Sequence, residues 1–141
     1  MANLLIDANI IIRFLTNDDH IQSPAAYQIF KKAVEGELEL VLSPIIVAEC
    51  TWVLQMKRYG YTKQEIANQF TKMILSPGIK TLNQEITLRA LKDYSAHHVD
   101  FIDAYLSATS ILVETDLQIL TWNQKHFKRL GCEFYTPEEL L

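Results

Sequence analysis

The chain has few of the residues that mark secreted, membrane or redox-active proteins. Its 141 residues include two cysteines, Cys50 and Cys132, which lie far apart in sequence and form no C-x-x-C motif. Reduced thiols without a disulfide framework are therefore expected. No apolar run approaches the roughly 20 residues that a membrane helix needs, and Asp7 interrupts the short N-terminal apolar stretch that a signal peptide would extend. These absences predict a cytoplasmic protein with no membrane partner.

An excess of positive charge is also lacking. The chain has 13 Lys and Arg against 17 Asp and Glu, a formal net charge of −4. That balance argues against a nucleic-acid partner unless some acids are grouped in one place. If four of them bind metal together, the remaining 13 equal the basic residues in number. Local basic patches, such as Lys57-Arg58 and the cluster Lys125, Lys128 and Arg129, could then contact RNA, although such short runs are more typical of a solvated face.

Length and composition are typical of one globular domain over residues 1–141, with 49% apolar and 21% charged residues. Short apolar segments alternate with longer helical ones. Strands are predicted at 4–6 (fully buried), 39–42, 79–82, 117–121 and 133–135, and helices at 9–15, 23–34, 44–59, 62–75, 84–96, 101–114 and 124–130. This alternation indicates the α/β class, a three-layer α/β/α sandwich with a central parallel sheet of four to five strands.

The most informative charged residues are three isolated sets of carboxylates in apolar stretches. Asp7 is the only charged residue between Leu4 and Ile12, and Glu49 is the only one between Ser43 and Met56. Asp100 and Asp103 are likewise alone between Val99 and Val113. An ionised carboxylate without a partner in an apolar interior costs several kcal/mol or more. The repeated pattern therefore predicts that the acids converge and are neutralised together by divalent cations.

The predicted topology places these acids at one edge of the sheet. Asp7 lies at the end of the first strand, and Glu49 lies in the opening turns of the helix after the second. Asp100 and Asp103 are three residues apart in a first helical turn and so share one face. Two polar residues at the end of the fourth strand complete the set, Thr121 and Asn123. In open α/β sheets, ligands gather beyond the carboxyl ends of the strands.

Four segments carry a resemblance to a known family. They are LLIDANIIIRFLTNDD (4–19), SPIIVAECTWVL (43–54), VDFIDAYLSATS (99–110) and LTWNQKHF (120–127). Together they resemble the PIN domain, and most closely the small single-domain PIN proteins that act as VapC-type toxins. The resemblance runs in order over nearly the whole chain.

The resemblance implies a role for each matching acid. Asp7 would be the first metal-binding carboxylate with Asn9 as its polar neighbour, Glu49 the second acid, and Asp103 the third. Asp100 would be an auxiliary metal ligand. Asp7, Glu49 and Asp103 would form the catalytic set.

The last motif departs from the family pattern. Thr121 matches the hydroxyl residue that opens it, but Asn123 stands where many members carry a fourth aspartate. An asparagine can offer a carbonyl oxygen to a metal or orient a water molecule, but it supplies no charge. The resemblance therefore implies a variant site in which a second metal is held less tightly.

The chemistry that the resemblance implies is metal-dependent hydrolysis of RNA. Hard Mg²⁺ or Mn²⁺ prefers oxygen ligands, and in phosphodiester hydrolysis it activates a water molecule and offsets charge on the phosphate. No protein nucleophile is required. The family further implies single-stranded or loop RNA substrates, a homodimer, and a cognate antitoxin protein bound in a groove near the active site. Apolar residues on the helices at 23–34 and 62–75 are candidates for that contact, although core packing accounts for much of them.

Two other classes of function stay open. The first is a non-catalytic PIN-like module that binds RNA or protein, which Asn123 makes plausible. The second is a phosphohydrolase or phosphoacceptor with Asp7 as nucleophile. It is disfavoured because Asn9 stands where a dehalogenase-like phosphatase has a second aspartate, and because the adjacent acidic pair and late lysine of a receiver domain are lacking.

Ordinary structural roles compete with several of these assignments. Asp7 and Asp100 suit helix N-caps, as does Asn123. His126 belongs to no zinc-like spacing, so a surface or capping role is expected for it. Trp52 and Trp122 flank the predicted site in sequence and could stack on bases. Core packing is the better prediction for both.

Overall fold

The computed structural model describes residues 2–113 and 117–141. Its strands are β1 (Ala2–Leu5), β2 (Leu38–Leu42), β3 (Ile79–Thr81), β4 (Ile119–Leu120) and β5 (Phe134–Tyr135). Its helices are α1 (Ala8–Thr16), α2 (Gln22–Val34), α3 (Pro44–Gln55), α4 (Lys63–Ile74), α5 (Gln84–Ala96), α6 (Phe101–Leu112) and α7 (Gln124–Leu130), followed by a 3₁₀ turn at Pro137–Leu140. The chain divides into a first unit, Met1–Gln84, and a second unit, Glu85–Leu141.

A parallel sheet in the order β1-β2-β3 organises the first unit. Leu4 pairs with Leu40, and Leu40 pairs with Ile79. The central strand is the most buried because it has a neighbour on each side, and its Leu40 and Leu42 are inaccessible to solvent. The edge strand β1 is exposed throughout, with Leu5 at 70% exposure, so the prediction of a fully buried first strand is wrong.

Helices α1 and α2 pack together beside this sheet. Helix α1 buries Ile11 and Ile12 and ends at Asn17, whose left-handed backbone lets its N–H bond the carbonyl of Arg13. The rings of Phe14 and Phe30 stack with their centroids 4.1 Å apart and join the two helices.

Helix α3 begins as predicted but ends early. The side chain of Ser43 caps it and Pro44 occupies its first turn. It ends at Gln55, whereas the sequence predicts a helix to Tyr59. Residues 56–61 instead form a turn in which the N–H of Tyr61 bonds the carbonyl of Leu54. The predicted capping box of Thr62 and Glu65 at the start of α4 is confirmed.

The second unit contains α6, α7 and the parallel pair of β4 with β5. Helix α6 packs on α7 and on β4. The predicted bounds of α5 and α7 agree with the structure. Helix α6 ends at Leu112, and the rest of its predicted extension, at Glu114, lies outside the described residues.

The predicted α/β class with parallel strands is confirmed, with one difference in pairing. The sequence predicts one sheet of four to five strands, whereas hydrogen bonds join β1–β3 in one sheet and β4 with β5 in another. Because β4 and β5 have two residues each, they form a minimal ladder. Among the described residues, no helix has the length and apolar content to cross a membrane. The single domain over residues 1–141 stays a prediction.

Two glycines with the same backbone angle test how tightly the first unit is packed. Gly36 (φ +83°) has open space where a Cβ would stand, whereas a Cβ on Gly78 (φ +82°) would lie 2.1 Å from the carbonyl oxygen of Ala33. We expect Gly36→Ala to cost about 1 kcal/mol from the left-handed backbone alone. Gly78→Ala should cost about 1–3 kcal/mol more because of the added overpacking. Urea denaturation of the two variants measures the difference, and equal costs would contradict the close approach.

Candidate active site

Asp7 stands at the junction of β1 and α1. Its backbone is extended, and its Oδ1 accepts a hydrogen bond from the N–H of Ile10 at 3.3 Å. The capping role considered for Asp7 is therefore confirmed. The side chain is nevertheless exposed, and the cap uses one oxygen only. The second oxygen can still bind a cation, so capping and metal binding are compatible at this residue.

Glu49 lies on the exposed side of α3, and Cys50 beside it is buried. Burial, together with the negative charges of Glu49 and then Asp7, raises the pKa of the Cys50 thiol to about 12. The Sγ atom also lies 3.9 Å from the carbonyl oxygen of Ala8, where α1 packs on α3. The first unit thus brings Asp7 and Glu49 into one neighbourhood around a thiol that stays protonated at neutral pH.

A cavity of about 520 Å³ opens between α1 and α3, and we call it the α1–α3 cavity. Its polar lining residues are Asn9, Arg13, Glu49, Lys57, Arg58 and Tyr59. A predicted metal ligand, its predicted polar neighbour and three cationic side chains therefore share one cavity within the first unit.

Asp18 accepts side-chain hydrogen bonds from residues that include Arg13 and Tyr59, which line the α1–α3 cavity. It accepts from the hydroxyl of Tyr59 at 2.6 Å, from Thr16 at 2.8 Å, and from Arg13 at 2.9 Å. Arg58 Nη2 lies 3.3 Å from its Oδ2. These hydrogen bonds, that of Tyr59 foremost, hold the pKa of the Asp18 carboxyl well below its usual range. Asp18 thus fixes the turn after α3 to the end of α1.

The neighbouring Asp19 has the ordinary turn role expected of an acid before a helix. Its Oδ1 accepts from the N–H groups of Ile21 at 2.9 Å and Gln22 at 2.7 Å, at the start of α2. These hydrogen bonds lower the pKa of its carboxyl, those from the backbone first. The adjacent acids thus have different structural roles: Asp18 joins side chains of two segments, and Asp19 binds the backbone at the start of α2.

In the second unit, Asp100 and Asp103 open α6. Asp100 occupies the N-cap position with an extended backbone, but its side chain makes no capping bond among the described residues. Asp103 lies in the first turn and is partly exposed. Asp100 thus precedes the helix and does not lie within it, and a shared face for the two acids stays a prediction.

His126 is the site residue that the sequence interpretation missed. Its Nδ1 lies 2.8 Å from Oδ2 of Asp103 and 2.9 Å from Nδ2 of Asn123. His126 is partly exposed, which agrees with the expected surface role, but its contact with Asp103 was not predicted. The available signal was local, because Asn123 directly precedes α7 and His126 lies in its first turn, three residues later. The contact with Asp103 depends on the packing of α7 on α6 and has no sequence signature.

Thr121, directly after β4, fixes the position of Asn123 through a hydrogen bond. Its N–H bonds the carbonyl of Tyr135 at 2.9 Å, and its Oγ1 accepts from the N–H of Asn123 at the same distance. The side chain of Asn123 forms no capping hydrogen bond among the described residues. Its amide contacts His126 instead. A continuous path of contacts therefore leads from β4 through Asn123 and His126 to Asp103.

The two tryptophans do not pack in the core. Trp52 is 66% exposed and Trp122 is 71% exposed, so the core prediction is wrong for both. Trp52 lies on the outer face of α3 with the exposed Ile45 and Met56, which are seven residues before it and four after it. Trp122 donates its Nε1–H to Glu138 at 2.9 Å.

The predicted burial of the acids is also wrong. Asp7, Glu49 and Asp100 are exposed: Glu49 lies on the outer face of α3, whose inner face is apolar, and Asp7 and Asp100 lie at the N-cap positions of α1 and α6. Across residues 2–113 and 117–141, neither Lys nor Arg forms an ion pair with these acids or with Asp103. Within neither unit do three or more His, Cys, Asp or Glu of this described part form a metal-holding group.

The Asp18 contacts predict a pH-dependent contribution to stability. Because its pKa is lowered on folding, the stabilisation is complete above the unfolded value of about 3.8 and is lost as pH falls through the folded value. We expect Asp18→Asn to be less stable than the parent at pH 7, with the gap narrowing below pH 4. Urea unfolding at pH 7, 5 and 3 measures it, with the exposed Glu35→Gln as control. A gap that is constant across this range would contradict the assignment.

Comparison with known proteins identifies the family. The sequence model of the PIN domain matches residues 4–131. Among solved structures, a chain from the crystal structure of VapBC2 from Rickettsia felis bound to a DNA fragment from their promoter aligns over 96% of this chain and 98% of its own length. Its sequence identity is 14% and its TM-score 0.38. No curated protein matches. Since the PIN match spans both units and every predicted site residue, the chain belongs to the PIN domain family.

Proposed function

We propose that this protein is a Mg²⁺- or Mn²⁺-dependent endoribonuclease that hydrolyses RNA and acts as the toxin of a toxin–antitoxin pair. PIN domains are generally nucleases, and membership in that family supports the reaction class. The observation that carries the proposal is the pair of exposed acids Asp7 and Glu49, which share a neighbourhood in the first unit without a lysine or arginine partner among the described residues. Two close carboxylates without a cationic partner are suited to a divalent cation.

The donor set fits a hard cation. In the first unit the proposed ligands are Asp7 and Glu49, and in the second unit they are Asp100 and Asp103; all four offer carboxylate oxygens. Mg²⁺ usually needs only one or two carboxylates and keeps several water molecules. When bound, such an ion lowers the pKa of a coordinated water and offsets charge on the phosphate.

The chain's own residues would position these ligands. The cap bond to Ile10 fixes Asp7 at the start of α1, and α3 presents Glu49 beside it. His126 holds one oxygen of Asp103 at 2.8 Å, so His126 is a positioning residue in this proposal. Asn123 contacts the same imidazole nitrogen and supplies no negative charge to the site.

Asp7→Asn tests the proposal with little effect on the fold. Asparagine caps a helix as well as aspartate does, so the stability of α1 should be kept while the ligand charge is lost. We expect RNA cleavage with Mg²⁺ or Mn²⁺ to fall by about 100-fold or more, since metal activation of water is lost. Cleavage of labelled single-stranded RNA and a thermal melt measure the two effects. Glu35→Gln, an exposed acid at the end of α2, is the control.

Two results would reject the nuclease proposal. One is a parent protein that cuts no RNA with either metal, and the other is Asp7→Asn and Asp103→Asn variants that cut as fast as the parent. Asn123 favours the second candidate, a PIN module that binds RNA or protein without cutting, because the site lacks one family charge. Calorimetric titration with Mn²⁺ separates the candidates, because binding that Asp7→Asn weakens supports the nuclease.

The proposed antitoxin needs an apolar surface, and the first unit offers one. A groove of about 390 Å³ runs between α1, α2 and α4, and we call it the α1–α2–α4 groove. Tyr27 and Val34 are each 56% exposed in it, and Lys31 and Lys72 also line it. This combination suits an antitoxin segment with apolar anchors and acidic flanks. The homodimer stays a proposal drawn from the family resemblance.

Val34→Lys should disrupt antitoxin binding without impairing cleavage. A charge in the apolar groove leaves a buried, unpaired ammonium in the complex, so binding should weaken by at least about 10-fold. Co-purification with the product of the adjacent reading frame measures it. The matched control is Ile21→Lys, which changes another exposed apolar residue at the start of α2, outside the groove. Equal co-purification of both variants would contradict the assignment of the groove.

A further inference from the structure

We propose that the α1–α3 cavity binds a phosphate of the RNA strand that flanks the phosphate being cut, through Lys57 and Arg58. The inference deepens the proposed function and rests on it for the identity of the scissile phosphate. Binding itself does not require the reaction, so the two can fail separately.

The α1–α3 cavity is lined by both acidic and basic side chains. Asn9 and Glu49 line the cavity from α1 and α3, and Lys57, Arg58 and Tyr59 line it from the turn after α3. Its volume of about 520 Å³ lies in the range of sites that bind small molecules. A strand whose scissile phosphate lies at the acids would therefore have its next phosphate within the same cavity.

The charges along the cavity favour an anion at the Lys57–Arg58 end. Arg13, Lys57 and Arg58 carry three positive charges, and Asp18 offsets one of them. Glu49 is the ligand that the proposed function assigns to a cation. Even without a metal, the three cations exceed the two acids Asp18 and Glu49 by one charge, and a phosphodiester would supply the missing anion.

Arg58 is held in place while most of its donors stay available. Its side chain is 71% exposed, and its guanidinium carbon lies 5.2 Å from the centre of the Tyr59 ring. The single bond to Asp18 uses one of five N–H donors. Tyr59 is itself fixed by its hydroxyl bond to Asp18. A pre-positioned planar guanidinium suits bidentate binding of a phosphate.

The turn after α3 is held by bonds on both sides. The N–H of Gly60 bonds the carbonyl of Met56, and the hydroxyl of Tyr59 bonds Asp18. The turn brings two consecutive cationic residues to the cavity wall. It therefore serves binding as well as the join between α1 and α3.

RNA binding without metal tests the inference. Fluorescence anisotropy of a labelled ten-nucleotide single-stranded RNA in EDTA should show about 10-fold weaker binding for the double variant Lys57→Gln and Arg58→Gln. The slope of log K against log salt should fall by about 0.7 for each lost phosphate contact. Lys92→Gln, which removes an exposed positive charge on α5, should leave both unchanged.

Two further measurements show whether Lys57 and Arg58 bind phosphate or only support the fold. Arg58→Lys keeps the charge, so it should retain the salt slope even where affinity falls. An oligomer of the same sequence with a neutral methylphosphonate backbone should bind the parent and the double variant equally. Circular dichroism shows whether each variant is folded.

The outcomes are distinguishable. A folded double variant with the affinity and salt slope of the parent would overturn the inference, as would an equal loss of binding to the neutral oligomer. If the parent binds RNA through Lys57 and Arg58 but cuts none with Mg²⁺ or Mn²⁺, the nuclease proposal fails and the phosphate contact stands.

Discussion

The packing of α1 against α3 is the constraint on which the neighbourhood of Asp7 and Glu49 depends. Buried residues of both helices, among them Ile11, Ile12, Val47 and Cys50, lie in the core and leave the polar faces outside. Asp7 at the start of one helix and Glu49 on the other therefore lie close together without being buried. Their proximity comes from apolar packing, not from any attraction between the acids, because two carboxylates repel each other.

Asp18 and the early end of α3 show where sequence interpretation reaches its limit. Local signals were sufficient for Ser43-Pro44 at the start of α3 and for the Thr62–Glu65 capping box, because each involves contacts within four residues. Helical periodicity continues past Gln55, yet the chain turns there. The competing interaction is the bond from Tyr59 to Asp18, 41 residues away, which no local pattern encodes.

The exposure of the acids has the same kind of explanation. An isolated charge in an apolar segment indicates either a buried charge or an amphipathic helix with its charge outside, and sequence alone does not separate them. The structure selects the second at Glu49, beside the buried Cys50. Trp52 follows because it lies three residues after Glu49, on the same outer face. The resemblance predicted which acids to consider, while their surroundings required the structure.

His126 shows why the asparagine at 123 suits the second unit. A ring nitrogen carries either one proton or one lone pair, so Nδ1 can donate to Asp103 or accept from the Asn123 amide, but not both. With an aspartate at 123, Nδ1 would face two carboxylates, and its single N–H could donate to only one of them. With asparagine, the side-chain amide can donate to Nδ1 in the tautomer in which Nδ1 does not donate to Asp103, so the nitrogen has a partner in either tautomer. An Asn123→Asp variant would remove that second donor.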